Sequence, residues 1–123
     1  MKFMTSALAG TALLGLFACR TRAELSEMEA RQYLKAGALV VDVRTVAEYH
    51  TKHLTNVINI PLDEVPQKFP ALVTNKSDVV LLHCRSGSRS GRAESQLRAL
   101  GYTNVFNLGS FSQAEKILRS QAP

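Results

Sequence analysis

The chain has 123 residues, 46% hydrophobic and 20% charged, which is enough for one core, too little for two, and too apolar for a disordered body. Three of the fifteen basic residues (Lys2, Arg20 and Arg22) precede Glu24 and all ten acidic residues lie from Glu24 onward, so that part carries a net charge of +2, against +5 for the whole. So small an excess does not argue for a nucleic-acid surface or a polybasic membrane patch, and no nucleic-acid partner is expected.

At the amino end, Lys2 precedes an uncharged, mostly apolar run of 16 residues from Phe3 to Ala18. A spanning helix needs about 20; a basic start, a short apolar middle and small residues at the end read instead as a secretory signal. Two endings fit. Leu16-Phe17-Ala18-Cys19 resembles a bacterial lipobox, which would leave a lipid on Cys19, and Thr21-Arg22-Ala23 reads as a simple cleavage site. The expected organisation is a signal over 1–23, cut before Cys19 or after Ala23, then one domain over 24–123. That domain is expected in the periplasm, or held at the membrane through a lipid anchor on Cys19.

Leu25 to Gly37 reads as the first helix. Ser26 and Glu29 form a capping box, Leu25 and Ala30 a hydrophobic staple, and Gly37 is the stop. Met28, Tyr33 and Leu34 are expected in its core-facing side. Ala38 to Val43 is short, apolar and β-branched without alternation, as in a buried parallel strand. Val57 to Ile60 is a second strand, closed by Pro61. Asp63 to Thr74 holds two prolines and reads as a broken helix, and Asn75-Lys76-Ser77 as a turn. Asp78 to His83 is the strongest strand. Ser90 to Leu100 is a helix with Ala93, Leu97 and Leu100 on one face and Gly101 as its stop. Asn104 to Asn107 is a last strand and Ser112 to Ser120 a last helix. Alternating strands and helices predict an α/β fold, a small parallel sheet flanked by helices on both faces.

In such folds ligands sit where strands end and helices begin. The segment after the strongest strand is His83-Cys84-Arg85-Ser86-Gly87-Ser88-Arg89-Ser90-Gly91. A cysteine at a strand end, small residues and a following helix make a bowl of backbone N–H groups, which stabilises a thiolate and lowers its pKa. Arg85 and Arg89 add positive charge, and Gly87 supplies the unusual dihedrals a backbone nest needs. Cys19 and Cys84 are the only cysteines, so the folded part is no disulfide scaffold. His83 precedes Cys84 in a strand and is expected on the opposite face, which disqualifies it as a general base.

The run Cys84-Arg85-Ser86-Gly87-Ser88-Arg89-Ser90 resembles the active-site loop of single-domain rhodaneses. Two further stretches carry the same resemblance. One is Val41-Asp42-Val43-Arg44, Glu48-Tyr49, and His53-Leu54-Thr55-Asn56-Val57-Ile58-Asn59-Ile60-Pro61; the other is Gly101-Tyr102-Thr103-Asn104-Val105 followed by Leu108-Gly109. The likeness runs from about Ser26 to about Leu118. Lys52 and Asn56 stand where the family usually has glycine, as does Ser110; Asn56 still tolerates a left-handed turn.

The resemblance implies a sulfurtransferase with Cys84 as nucleophile and persulfide carrier. Arg85, Ser86, Gly87, Ser88, Arg89 and Ser90 would bind the substrate. Its partners would be a small anionic sulfur donor such as thiosulfate and a thiophilic acceptor such as cyanide or a thiol, and it implies no metal or organic cofactor. Asp42, Arg44, Glu48 and His53 resemble residues that tie the sheet ends together. Two other readings stand beside it. One is a non-catalytic rhodanese-like binding module. The other is a cysteine phosphatase or arsenate reductase, whose loop has five residues between cysteine and arginine where this chain has four, Arg85 to Ser88.

Overall fold

The computed structural model describes residues 24–120. The expected signal segment, both its endings and Cys19 lie outside the described residues. Helix α1 (Glu27–Lys35) opens on the capping box, with Ser26 Oγ accepting from Glu29 N–H and the Glu29 carboxylate from Ser26 N–H. Strand β1 (Leu39–Asp42) is followed by α2 (Val46–Thr51), β2 (Ile58–Asn59) and a 3₁₀ turn (Leu62–Glu64). Then come α3 (Val65–Leu72), β3 (Val80–His83), α4 (Ser88–Ala99), β4 (Val105–Gly109) and α5 (Phe111–Arg119).

All four strands are parallel, in the order β2-β1-β3-β4, with Val41 opposite Leu82 and Leu82 opposite Asn107. Side chains alternate across this sheet. Val41, Val43, Val80, Leu82 and Cys84 face Phe69 of α3 and Ala93 and Leu97 of α4. Val40, Leu81 and Leu108 face Ala30 of α1 and Ala114 and Ile117 of α5. The sheet is covered on both sides, as its unalternating apolar strands require. The chain leaves β1 toward one edge and β3 toward the other. The carboxyl ends of β1 and β3 therefore border a crevice where the winding reverses, the place where open α/β sheets bind ligands.

Several features differ from what the sequence suggests. Helix α2 was not among the expected elements, yet Thr45 and Glu48 form a capping box of the same kind as that of α1. The segment with the two prolines is not broken internally. Pro66 sits in the first turn, where its missing N–H costs nothing, and Pro70 removes a single hydrogen bond from an otherwise continuous α3. The irregularity lies ahead of the helix, in the 3₁₀ turn. Met28 is 70% exposed: Ala30, Tyr33 and Leu34 make the buried stripe of α1, and a residue two before Ala30 lies on the far side of the cylinder. Leu100 ends α4 as its C-cap and is 39% exposed, leaving Ala93 and Leu97 as the buried face. Asn56 does adopt the left-handed conformation, at φ 60°.

Candidate active site

Cys84 follows the last residue of β3 and is fully buried at the carboxyl end of the sheet. The chain turns immediately, and Gly87 makes the turn possible. Its φ is +96°, and a Cβ there would lie 3.2 Å from the Gly109 Cα. No other residue type meets both conditions without strain. The turn brings the Gly87 N–H to 3.0 Å from Cys84 Sγ, and Ser90 Oγ donates to the same sulfur at 3.3 Å. Burial pushes the Cys84 thiol up. The Ser90 hydroxyl and the backbone N–H groups of Ser90, Gly87 and Ser86 pull it down more strongly, so the net shift is below the ordinary thiol range.

Neighbouring elements hold this loop shut. Asn107 Nδ2 donates to the Gly87 carbonyl at 3.0 Å, and Ser90 Oγ also lies 3.2 Å from it. The Asn107 amide thus ties the Gly87 peptide to β4 while the Gly87 N–H faces the sulfur. Ser86 bridges Ser110, the Phe111 N–H donates to the Arg85 carbonyl, and the Cys84 N–H donates to the Gly109 carbonyl. Helix α4 begins at Ser88, two residues earlier than the sequence suggests, and its first intrahelical bond runs from Gly91 N–H to the Gly87 carbonyl. The N–H groups of its first turn therefore lie outside the helix ladder, and that of Ser90 serves the Cys84 sulfur.

The two loop arginines have different surroundings. Arg85 is exposed, and its guanidinium is in no ion pair among the described residues. Arg89 reaches across the crevice to Glu48 of α2, with Nη1 2.6 Å from Oε1 and Nη2 3.0 Å from Oε2. That guanidinium is the main reason the Glu48 carboxyl is lowered to about 2. Ser88 is exposed on the first turn of α4.

Beneath the loop lies a buried polar layer. Asp42 and Arg44 form a bidentate pair, with Arg44 Nη2 at 2.6 Å from Oδ2, and the same guanidinium donates to the Lys52 carbonyl. His83 is fully buried on the other side of the sheet from Cys84, edge-on to Phe111, with Nε2 3.7 Å from Asp42 Oδ2. Burial lowers its pKa. It faces no substrate space and holds no position from which to accept the Cys84 proton. His53 stacks on Tyr49, 4.1 Å between centroids, and Nδ1 meets the Tyr49 carbonyl. Among the described residues no group of three or more His, Cys, Asp or Glu side chains could hold a metal ion.

Sequence reasoning did not single out Asn107, Ser110 or Phe111 as loop supports, nor the pairing of Glu48 with Arg89. The first three lie in or beside the stretch around Leu108-Gly109 that carries part of the resemblance. The Thr45-to-Glu48 cap spacing was the available sign that Glu48 sits at a helix start facing the crevice.

Comparison with known proteins agrees with this geometry. Residues 22–116 match the rhodanese-like domain. The thiosulfate sulfurtransferase PspE of Escherichia coli (strain K12) is 41% identical over 69 residues, covering 56% of this chain and 66% of that protein. YqhL of Bacillus subtilis (strain 168) is 37% identical over 90 residues, covering 72% of this chain and 69% of that one. Among solved structures, a rhodanese with anions from E. coli superposes with a TM-score of 0.60 at 37% identity, over 62% of this chain and 89% of that one. The human single-domain sulfurtransferase TSTD1 superposes at 0.63 with 27% identity, over 80% and 97%. The chain thus spans about two thirds of its first two curated relatives and nearly all of these two solved structures. With its parallel sheet, its closed cysteine loop and a match over most of its length, the chain belongs to the rhodanese-like family.

Proposed function

We propose that the chain is a sulfurtransferase that moves sulfane sulfur from thiosulfate or a related anionic donor to a thiophilic acceptor through a persulfide on Cys84. The observation that carries this is the sulfur itself: Cys84 Sγ lies at the carboxyl end of a central strand with the Gly87 N–H at 3.0 Å and the Ser90 hydroxyl at 3.3 Å. In the first step the Cys84 thiolate attacks the outer sulfur of thiosulfate. A Cys–S–S bond forms, the donor's S–S bond breaks, and its electron pair leaves with sulfite. The terminal persulfide sulfur carries the negative charge that the thiolate brought. In the second step an acceptor such as cyanide attacks that sulfur, and the Cys84 thiolate returns as the leaving group.

The loop from Arg85 to Ser90 is the substrate cradle in this reading. The first-turn N–H groups of Ser88, Arg89 and Ser90 hold the terminal sulfur anion, as an oxyanion hole holds oxygen. Arg85 draws in the anionic donor and stabilises charge on the departing sulfite. Arg89 contributes its backbone N–H and, through Glu48, the position of the helix start. Support for the reading comes from the lowered thiol pKa and from the PspE likeness. The segment ahead of Glu24 is proposed to direct export, which fractionation of cells expressing the full chain tests.

The direct test of the chemistry is intact mass after incubation with thiosulfate. One added sulfur on the wild-type protein and none on Cys84→Ser is the expected result, with thiocyanate production lost in the variant. A Cys84→Ser protein that keeps most of the activity would sink the assignment.

A further inference from the structure

We propose that Glu48 is a positioning residue that cancels the charge of Arg89, and that it thereby tunes the site toward sulfur donors carrying one negative charge rather than two. The inference rests on the sulfurtransferase reading above and concerns which donors that site prefers. It starts from geometry. Both carboxylate oxygens of Glu48 take both terminal nitrogens of Arg89, at 2.6 and 3.0 Å, across 41 residues of sequence. The pair ties α2, which follows β1, to the first turn of α4, which follows the cysteine loop.

Glu48 is itself fixed before it meets Arg89. Its Oε1 accepts from the Thr45 N–H at 3.3 Å and the Thr45 hydroxyl at 3.1 Å. Arg89 is therefore held by an anchored carboxylate. The other cationic groups nearby are differently placed: Arg44 is committed to Asp42, Lys52 lies over the Phe111 ring, and Arg85 is exposed on the loop. The loop carries two arginines in sequence but presents one uncompensated guanidinium.

The consequence is a donor preference with a definite numerical form. The Coulomb energy between the site and a donor scales with the product of their charges. One added positive charge at the site therefore helps a dianion twice as much, in free energy, as a monoanion. Thiosulfate is a dianion, whereas organic persulfides and thiosulfonates are monoanions. With Glu48 in place the site forgoes that advantage for thiosulfate and accepts monoanionic donors at less relative disadvantage.

Glu48→Gln is a clean probe because glutamine also completes a capping box. Gln113 does so in this chain, its Oε1 accepting from the Ser110 N–H at 2.9 Å. The substitution removes charge and keeps the start of α2. The experiment measures kcat/KM for thiosulfate and for an aromatic thiosulfonate in wild type, Glu48→Gln and Glu48→Asp, at low and high ionic strength. Thermal unfolding checks that each is folded. For Glu48→Gln we expect a gain of about tenfold with thiosulfate and about threefold with the thiosulfonate at low salt, converging as salt screens the site. Glu48→Asp keeps the charge and should keep the wild-type ratio between donors. Equal gains or equal losses with both donors would overturn the inference, as would a Glu48→Asp ratio shifted as far as that of Glu48→Gln. A wild-type protein that transfers sulfur from neither donor would instead fail the sulfurtransferase reading, an outcome distinct from these.

Discussion

At the scale of single residues the site is a contest over one sulfur. Burial alone would raise the Cys84 pKa, and the hydroxyl of Ser90 with the N–H groups of Ser90, Gly87 and Ser86 outweighs it, so the net shift is downward. A thiolate nucleophile follows the titration of its thiol, so the rate of alkylation by iodoacetamide should rise with pH and level off, with its midpoint below that of the same cysteine in the urea-unfolded chain. Ser90→Ala deletes the hydroxyl at 3.3 Å and leaves the backbone donors. Its midpoint should move to higher pH, and a midpoint unchanged from wild type would show the hydroxyl to be a spectator. The absolute rate reports how readily the loop opens, since Cys84 has no exposed surface. Arg85 has a separate role, in the donor's approach. Losing one charged hydrogen bond to the transition state costs about 1.5–3 kcal/mol, so Arg85→Ala should lower kcat/KM for thiosulfate by about 10- to 150-fold. An unaltered value would make Arg85 a solvated surface charge.

At the scale of elements, the loop works because three segments agree on its length. β3 delivers Cys84, α4 starts at Ser88, and Asn107 of β4 fixes the carbonyl of Gly87 between them. A glycine inserted after Gly87 would give the five-residue spacing of a cysteine phosphatase. It would also force a choice, because Asn107 cannot hold the Gly87 carbonyl while Ser90 keeps its contact with the sulfur. Sulfur transfer should fall to near background in a variant that circular dichroism shows to be folded, since a misplacement of about 1 Å can cost about 100-fold in rate. Undiminished transfer would remove loop length as the determinant. The same elements show what the sequence could and could not reveal. Capping boxes and the glycine at a positive φ have local causes, so Ser26-to-Glu29 and Gly87 were legible. The strands were legible because burial on both faces writes a continuous apolar run. Helix α2 has six residues and no buried side chain, so periodicity had nothing to detect. The embrace of Arg89 by Glu48 depends on the starts of two helices meeting across 41 residues, which no local pattern encodes. Met28 is exposed despite its hydrophobicity because it lies off the stripe of Ala30, Tyr33 and Leu34.

At the scale of the whole molecule, catalytic geometry stands on a buried polar layer that makes the fold sensitive to acid. Asp42, Arg44 and His83 lie under the loop, none more than 7% exposed. Removing one member of such a buried pair typically costs about 3–5 kcal/mol, because the other charge is left without compensation. His83 adds a pH term of known sign. Its burial disfavours the imidazolium, and Arg44 does so too, while Asp42 at 3.7 Å and the Cys84 carbonyl favour it; the balance lies below the ordinary value. Its Nε2 is buried with no hydrogen-bond partner, which is tolerable for a neutral ring and costly for a charged one. In the unfolded chain the same histidine titrates near about 6.5. Below that pH the unfolded chain binds a proton that the native protein declines until its own lower pKa is reached. Stability is therefore whole above about pH 6.5 and falls as the pH drops through the window below it. Glu48 behaves in the same sense but in a lower window. Its folded value is about 2, so the stability it contributes is present above the ordinary carboxylate value of about 4.3 and is lost as the pH falls toward the folded one. Of these two groups only His83 acts between pH 6.5 and 4.5. Urea midpoints measured across that range should decline in the wild type and decline less steeply in His83→Gln, which cannot take up the proton. Comparison of slopes rather than absolute midpoints keeps the test valid even if the variant is less stable throughout. Parallel slopes would mean that the acid sensitivity arises elsewhere and that His83 is only a packed ring beside Phe111.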